Sequence, residues 1–186
     1  MAALDDLKAE LGISGTSEDA LLERYLDAAR EAIITYVGTS FWGGTASDRY
    51  FAAPQGELLL LPWVVSVSHV YRRADTDTPE EVATYYLVPD RGPPYYGIRL
   101  PRGERWTYDH DPWRAVKVTA VWAYSLVPPA DVYQAWIIYA AYLYRRKDVQ
   151  ALEVVAMPGV GASVIRVPPG VPKEVRALLD SYCCRL

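Results

Sequence analysis

The chain has 186 residues, 51% of them hydrophobic and 23% charged, and a formal net charge of −4. That is enough chain to bury a core without a disulfide or metal staple, and enough apolar content to exclude wholesale disorder. The acidic balance excludes a protein held to nucleic acid by a general basic surface, because phosphate neutralisation needs clustered Lys and Arg.

Aromatic usage is lopsided, with 15 Tyr and 6 Trp against 2 Phe. Tyr and Trp suit surfaces that are apolar on one side and wet on the other, and they serve strand-rich domains equally well. Cys183 and Cys184 are adjacent and form no spaced framework, which points to reduced intracellular thiols. The first ten residues are polar and helical in pattern, unlike a signal peptide. No apolar run approaches the roughly 20 residues of a membrane span, so a soluble protein with no membrane partner is expected.

In chain order, residues 4–11 read as a short helix with Leu4, Leu7 and Leu11 on one face and Gly12 to stop it. Thr16 and Asp19 form a capping-box-like pair. Over residues 17–38, Leu22, Leu26, Ala29, Ile33 and Val37 repeat at helical spacing, and Gly38 ends the pattern. The region of about 48–122 changes character. Val65, Val67, His69 and Tyr71 alternate with Ser66, Ser68, Val70 and Arg72, and Val116, Val118 and Ala120 alternate with Lys117, Thr119 and Val121. Period two with these residue types predicts half-buried strands, joined by Pro- and Asp-rich turns. Pro129 then opens a long helix over 130–147, whose end carries Arg145, Arg146 and Lys147. Residues 155–170 are rich in Pro and Gly, and Pro172 opens a last short helix.

This order predicts an α+β fold: a helical core of about four helices interrupted by a small, mostly antiparallel β-sheet insertion. A main domain is expected over residues 1–150, followed over 151–186 by an extended Pro/Gly arm and the short terminal helix.

A search for chemistry finds little. His69 sits at strand spacing, and His110 lies in the polar turn Tyr108-Asp109-His110-Asp111, which matches no zinc spacing. Gly159-Val160-Gly161 lacks the strand, Lys and helix of a phosphate loop. No serine has a nucleophile-elbow context. No catalytic, metal or cofactor-binding residue is therefore assigned, and no enzyme and no cofactor is expected. A small carbohydrate-binding module or hydrolase domain built on Trp42, Trp63, Trp106 and Trp113 is the weaker alternative. Arg72 with Arg73, and Arg145 with Arg146 and Lys147, are read first as a turn and a helix end, and second as contacts for an acidic partner or a nearby DNA backbone.

Three stretches carry a resemblance. The first is Leu4-Asp5-Asp6-Leu7-Lys8-Ala9-Glu10-Leu11-Gly12-Ile13, then Ser17-Glu18-Asp19-Ala20-Leu21-Leu22-Glu23-Arg24, Ala28-Ala29-Arg30-Glu31-Ala32-Ile33 and Tyr36-Val37-Gly38. The second is Leu58-Leu59-Leu60-Leu61-Pro62 before Val64-Val65-Ser66-Val67. The third is Trp122-Ala123-Tyr124-Ser125 with Pro128-Pro129-Ala130-Asp131-Val132, where the family more often has Gly in place of Ala123. In order and spacing, residues 4–147 resemble the head–tail connector (adaptor, head-completion) proteins of tailed bacteriophages.

The resemblance implies a non-catalytic structural subunit that assembles with copies of itself into a ring, usually of about twelve. It implies docking on a portal protein, contact with the next tail or stopper protein, and DNA passing through the channel without sequence-specific binding. The location would be the virion's head–tail junction, after assembly in the host cytoplasm. A stopper or tail-completion protein of the same assembly is the alternative. The Pro/Gly arm is the expected partner contact, ordering on a neighbouring copy or the portal. Its candidate interface residues are Pro158, Gly159, Val160, Gly161 and Arg166, together with Arg145, Arg146 and Lys147.

Overall fold

The computed structural model describes residues 2–152 and 170–183, with backbone alone for 148–152. Its elements are α1 (Ala2–Leu11), α2 (Asp19–Val37), β1 (Ser47–Phe51), β2 (Leu58–Val64), β3 (Ser66–Arg72), β4 (Glu80–Glu81), β5 (Tyr86–Val88), β6 (Tyr95–Arg99), a 3-10 turn (Pro112–Arg114), β7 (Val116–Val121), α3 (Ala130–Leu152) and α4 (Lys173–Leu179). The fold is α+β, as the sequence predicts. The chain divides into a helical unit (1–38 and 129–186) and a β unit (39–128).

In the helical unit α3 packs against α1, α2 and α4. The stripe Leu22, Leu26, Ala29, Ile33 and Val37 is buried, as its spacing requires, and Leu7, Val132, Ala135, Ala140, Val175 and Leu179 are buried with it. Each fully buried Leu or Val contributes about 1.5–3 kcal/mol relative to exposure. Gly38 stops α2 in a left-handed conformation (φ 81°) while its N–H donates to the Ile34 carbonyl. The capping box expected from Thr16 and Asp19 does not form. Glu18 occupies the cap position without a side-chain hydrogen bond, and Asp19 instead pairs with Lys8 of α1.

Tyrosine hydroxyls bonded to carboxylates hold these helices in register. Tyr133 donates to Asp6 (2.5 Å), Tyr144 to Glu18 (2.5 Å), Tyr36 to Asp180 (2.6 Å), and Tyr182 to both oxygens of Asp131 (2.9 and 2.8 Å). Part of the tyrosine excess is therefore used inside the helical unit.

The β unit contains two antiparallel sheets, where one was expected. Their strand orders are β1-β7-β3-β4 and β2-β6-β5. Leu59, Leu61 and Ile98 of the second sheet share one core with Val70, Val116, Val118 and Ala120 of the first, closed by Leu100 and Trp106. β7 alternates buried and half-buried residues as its sequence predicts. In β3 the register shifts between Val67 and His69, so Val70 is the buried residue and His69 is exposed.

Candidate partner interface

Pro158, Gly159, Val160, Gly161 and Arg166 lie outside the described residues. Arg145, Arg146 and Lys147 lie on α3, which continues past them to Leu152. They therefore do not neutralise the helix's negative end, contrary to expectation. Arg145 donates to the Glu10 carbonyl (3.2 Å) and lies 3.7 Å from the Glu10 carboxylate. Lys147 lies 3.7 Å from Glu18 and 3.9 Å from the centroid of the Tyr144 ring. Burial pushes the Tyr139 phenol up, and the nearby Arg146 charge opposes that shift. Two of the three cations thus tie α3 to α1 and to the residue preceding α2.

Arg72 and Arg73 are also engaged. Arg72 pairs with Glu80 across β3 and β4 and lies 3.7 Å from Glu104, while Arg73 donates to Asp109 at 2.5 Å. The hydrogen bond from Arg72 holds the Glu80 carboxyl below its ordinary range. These groups, with Arg105, Thr107 and Tyr108, line a hollow of about 660 Å³. Its three arginines face three carboxylates, so its charge is balanced and it offers no general attraction to an acidic partner.

At one end of the β unit a loop is fastened by a single carboxylate. Asp75 Oδ2 accepts the backbone N–H groups of Asp109 (3.0 Å), His110 (2.5 Å) and Asp111 (3.0 Å). These bonds, led by that from His110, hold the Asp75 carboxyl down at about 2. Arg73, in a left-handed conformation (φ 55°), turns the chain ahead of it. The Asp111 side chain accepts from the Trp113 N–H. The fastened loop displays Tyr108, and Trp113 stands 76% exposed.

The second sheet presents another surface. Leu58, Arg99 and Tyr86 are register partners, as are Leu60, Gly97 and Val88, so these two rows share the face opposite the core. Leu58 is 39%, Leu60 57% and Tyr86 51% exposed. A Cβ on Gly97 would sit 3.0 Å from the Leu58 side chain and 3.0 Å from the Leu59 carbonyl oxygen, so a side chain there would displace this row.

Other sequence candidates separate. The exposed His69 bonds Glu81 (2.8 Å). Trp106 is buried and donates to the Glu57 carbonyl (3.1 Å). Trp42 and Trp63 are half-buried. Four potential sugar platforms therefore reduce to one exposed indole. Among the described residues no group of three or more His, Cys, Asp or Glu side chains is placed to hold a metal ion. Sequence reading missed Asp75. An Asp-rich turn signals local backbone bonding, but the N–H groups it collects lie more than thirty positions away. The outward leucines were missed because four in a row carry no alternation to mark a face.

Residues 1–72 match the family model described as phage gp6-like head-tail connector protein. Among curated proteins nothing matches. Solved structures share the fold. One is the neck of an empty gene transfer agent particle computed with C6 symmetry, at 20% identity and TM-score 0.62, covering 98% of this chain and 90% of that one. Another is the neck of a native gene transfer agent particle computed with C12 symmetry, at 22% identity and TM-score 0.61, covering 98% and 89%. A third is the virion of a native gene transfer agent particle, at 22% identity and TM-score 0.54, covering 98% and 90%.

Proposed function

We propose that this chain, whose first 72 residues match the phage gp6-like head-tail connector family, is a structural subunit of a head–tail connector. The observation that carries the reading is agreement between two independent signals. The family match lies on α1, α2 and the first strands, while the fold likeness to particle necks spans 98% of the chain.

In this reading the chain assembles with copies of itself into a ring at the head–tail junction of a virion, after assembly in the host cytoplasm. The necks computed with C6 and C12 symmetry support a closed ring. The ring docks on a portal protein, receives the next tail or stopper protein, and lets DNA pass without reading its sequence. The net charge of −4 suits a passage that does not grip phosphates. The subunit performs no catalysis and needs no cofactor; the ion pairs of Arg72 and Arg73 suit that role. Pro158, Gly159, Val160, Gly161 and Arg166 contribute to the partner contact, with Arg145, Arg146 and Lys147 beside them.

Deleting the coding sequence in the producing cell tests this. The expected result is DNA-filled heads without tails, restored by supplying the chain. Tailed particles of normal yield would reject it.

A further inference from the structure

Two sheets have four edge strands, and three of them are protected by charge or brevity. β1 carries Asp48, bonded to Thr119, and Arg49, stacked over Trp122. β4 is only Glu80–Glu81, and β5 only Tyr86–Val88. β2 differs: it is an edge of its sheet with no charged side chain, and Pro62 and the register shift after Leu60 guard only its far end, leaving Leu58–Leu61 open. Its outward row is the exposed pair Leu58 and Leu60. Among the described residues, the backbone of residues 59–63 has no backbone hydrogen bond outside its own sheet. An uncharged, apolar edge is a template for another strand, and folded proteins normally guard or cover such edges.

The same chain contains a segment of matching chemistry. Residues 153–169 join α3 to α4, and within them runs Ser163-Val164-Ile165-Arg166-Val167. Three of these five residues are β-branched and apolar, the composition that favours strands. In an extended chain Ile165 and Val167 fall on one side, able to continue the Leu58–Leu60 row, while Arg166 falls on the other. Residues 163–167 lie three to seven positions before Gly170, so at about 3.4 Å per residue they extend at most roughly 10–24 Å from it.

We propose that the free edge of β2 receives residues 163–167 of a second copy of this chain as an added strand, linking neighbours around the ring. Backbone hydrogen bonds then supply affinity, and the leucine row supplies register. A head-to-tail contact of this kind uses two different surfaces of each copy, as a cyclic ring requires. The inference rests on the ring reading and adds to it the surface and its occupant.

The test uses the full chain with Cys183 and Cys184 replaced by serine. Copies carrying Leu58→Cys or Leu60→Cys are mixed with copies carrying Val164→Cys, Ile165→Cys or Val167→Cys, assembled with portal, and oxidised. The expected result is a cross-link between differently tagged copies for at least one pair. Ile165→Pro, which removes a backbone donor, should weaken association at least tenfold and abolish amide protection at Leu58 and Leu60, whose N–H groups face away from β6. Ile165→Val should retain both. Circular dichroism should be the same for all variants. A ring that forms with no cross-link, or a cross-link only within one chain, overturns this inference and leaves the connector reading standing. A chain that never forms a ring, even with portal, overturns the connector reading and this inference with it.

Discussion

The Tyr133 hydroxyl donates to Asp6 Oδ2 at 2.5 Å, fastening α3 to α1 across 127 positions of sequence. Burial, then the hydrogen bond to Asp6, pushes the Tyr133 phenol up to about 12 from 10.0. A group whose value is raised by folding stabilises the fold fully below its unfolded value, and that contribution is lost as pH rises through the folded one. Stability should therefore fall between pH 10 and pH 12. Tyr133→Phe should cost about 1 kcal/mol near neutrality and flatten this alkaline limb. Urea unfolding of both proteins across that range checks it.

Asp75 gives the opposite sign. Its carboxyl is lowered from 3.8 to about 2, first by the His110 N–H. Its contribution is present above about pH 4 and disappears as pH falls toward 2. Asp75→Ala leaves three backbone N–H groups without their acceptor. Amide exchange at residues 109–111 should speed up at neutral pH while exchange in α2 stays unchanged. Equal acceleration at both places would mean that Asp75 supports the whole fold.

Trp106 closes the β unit's core and also holds Glu57 in place. Trp106→Phe keeps much of the packing and loses the indole donor, so about 1–2 kcal/mol should be lost. Trp106→Ala also opens a cavity and should cost about 3–5 kcal/mol. Denaturant midpoints of the two variants should separate accordingly.

The cations of α3 are predicted to matter little for stability. Arg145→Ala with Lys147→Ala removes ion pairs of 3.7 Å at partly exposed sites, which should cost about 1 kcal/mol or less. Portal affinity should fall more in the double variant than stability does, with a weaker salt dependence. Thermal melts and a binding titration at two salt concentrations check both parts.

Local order was legible wherever one period held. The stripe from Leu22 to Val37 and the glycine that ends it are one-dimensional signals, and the structure follows them. β7 was legible for the same reason. β3 was legible as a strand but not in its facing, because a register shift between Val67 and His69 changes which residue faces the core. The exposed β1 and the two-residue β4 carry no periodic signal. The division into two sheets depends on which strands pair, which alternation alone does not encode. The Asp75 clamp and the four tyrosine–carboxylate ties join residues distant in sequence, so their partners emerge only with the fold. Basic residues were visible as a cluster, but their carboxylate neighbours on α1 and before α2 were not.

The most direct measurement is electron microscopy of the full chain mixed with the portal of its own particle. A closed ring of copies docked on the portal around an open channel is expected, with six- or twelve-fold symmetry like that of the necks whose fold the chain shares. A single copy that leaves the portal bare would contradict it.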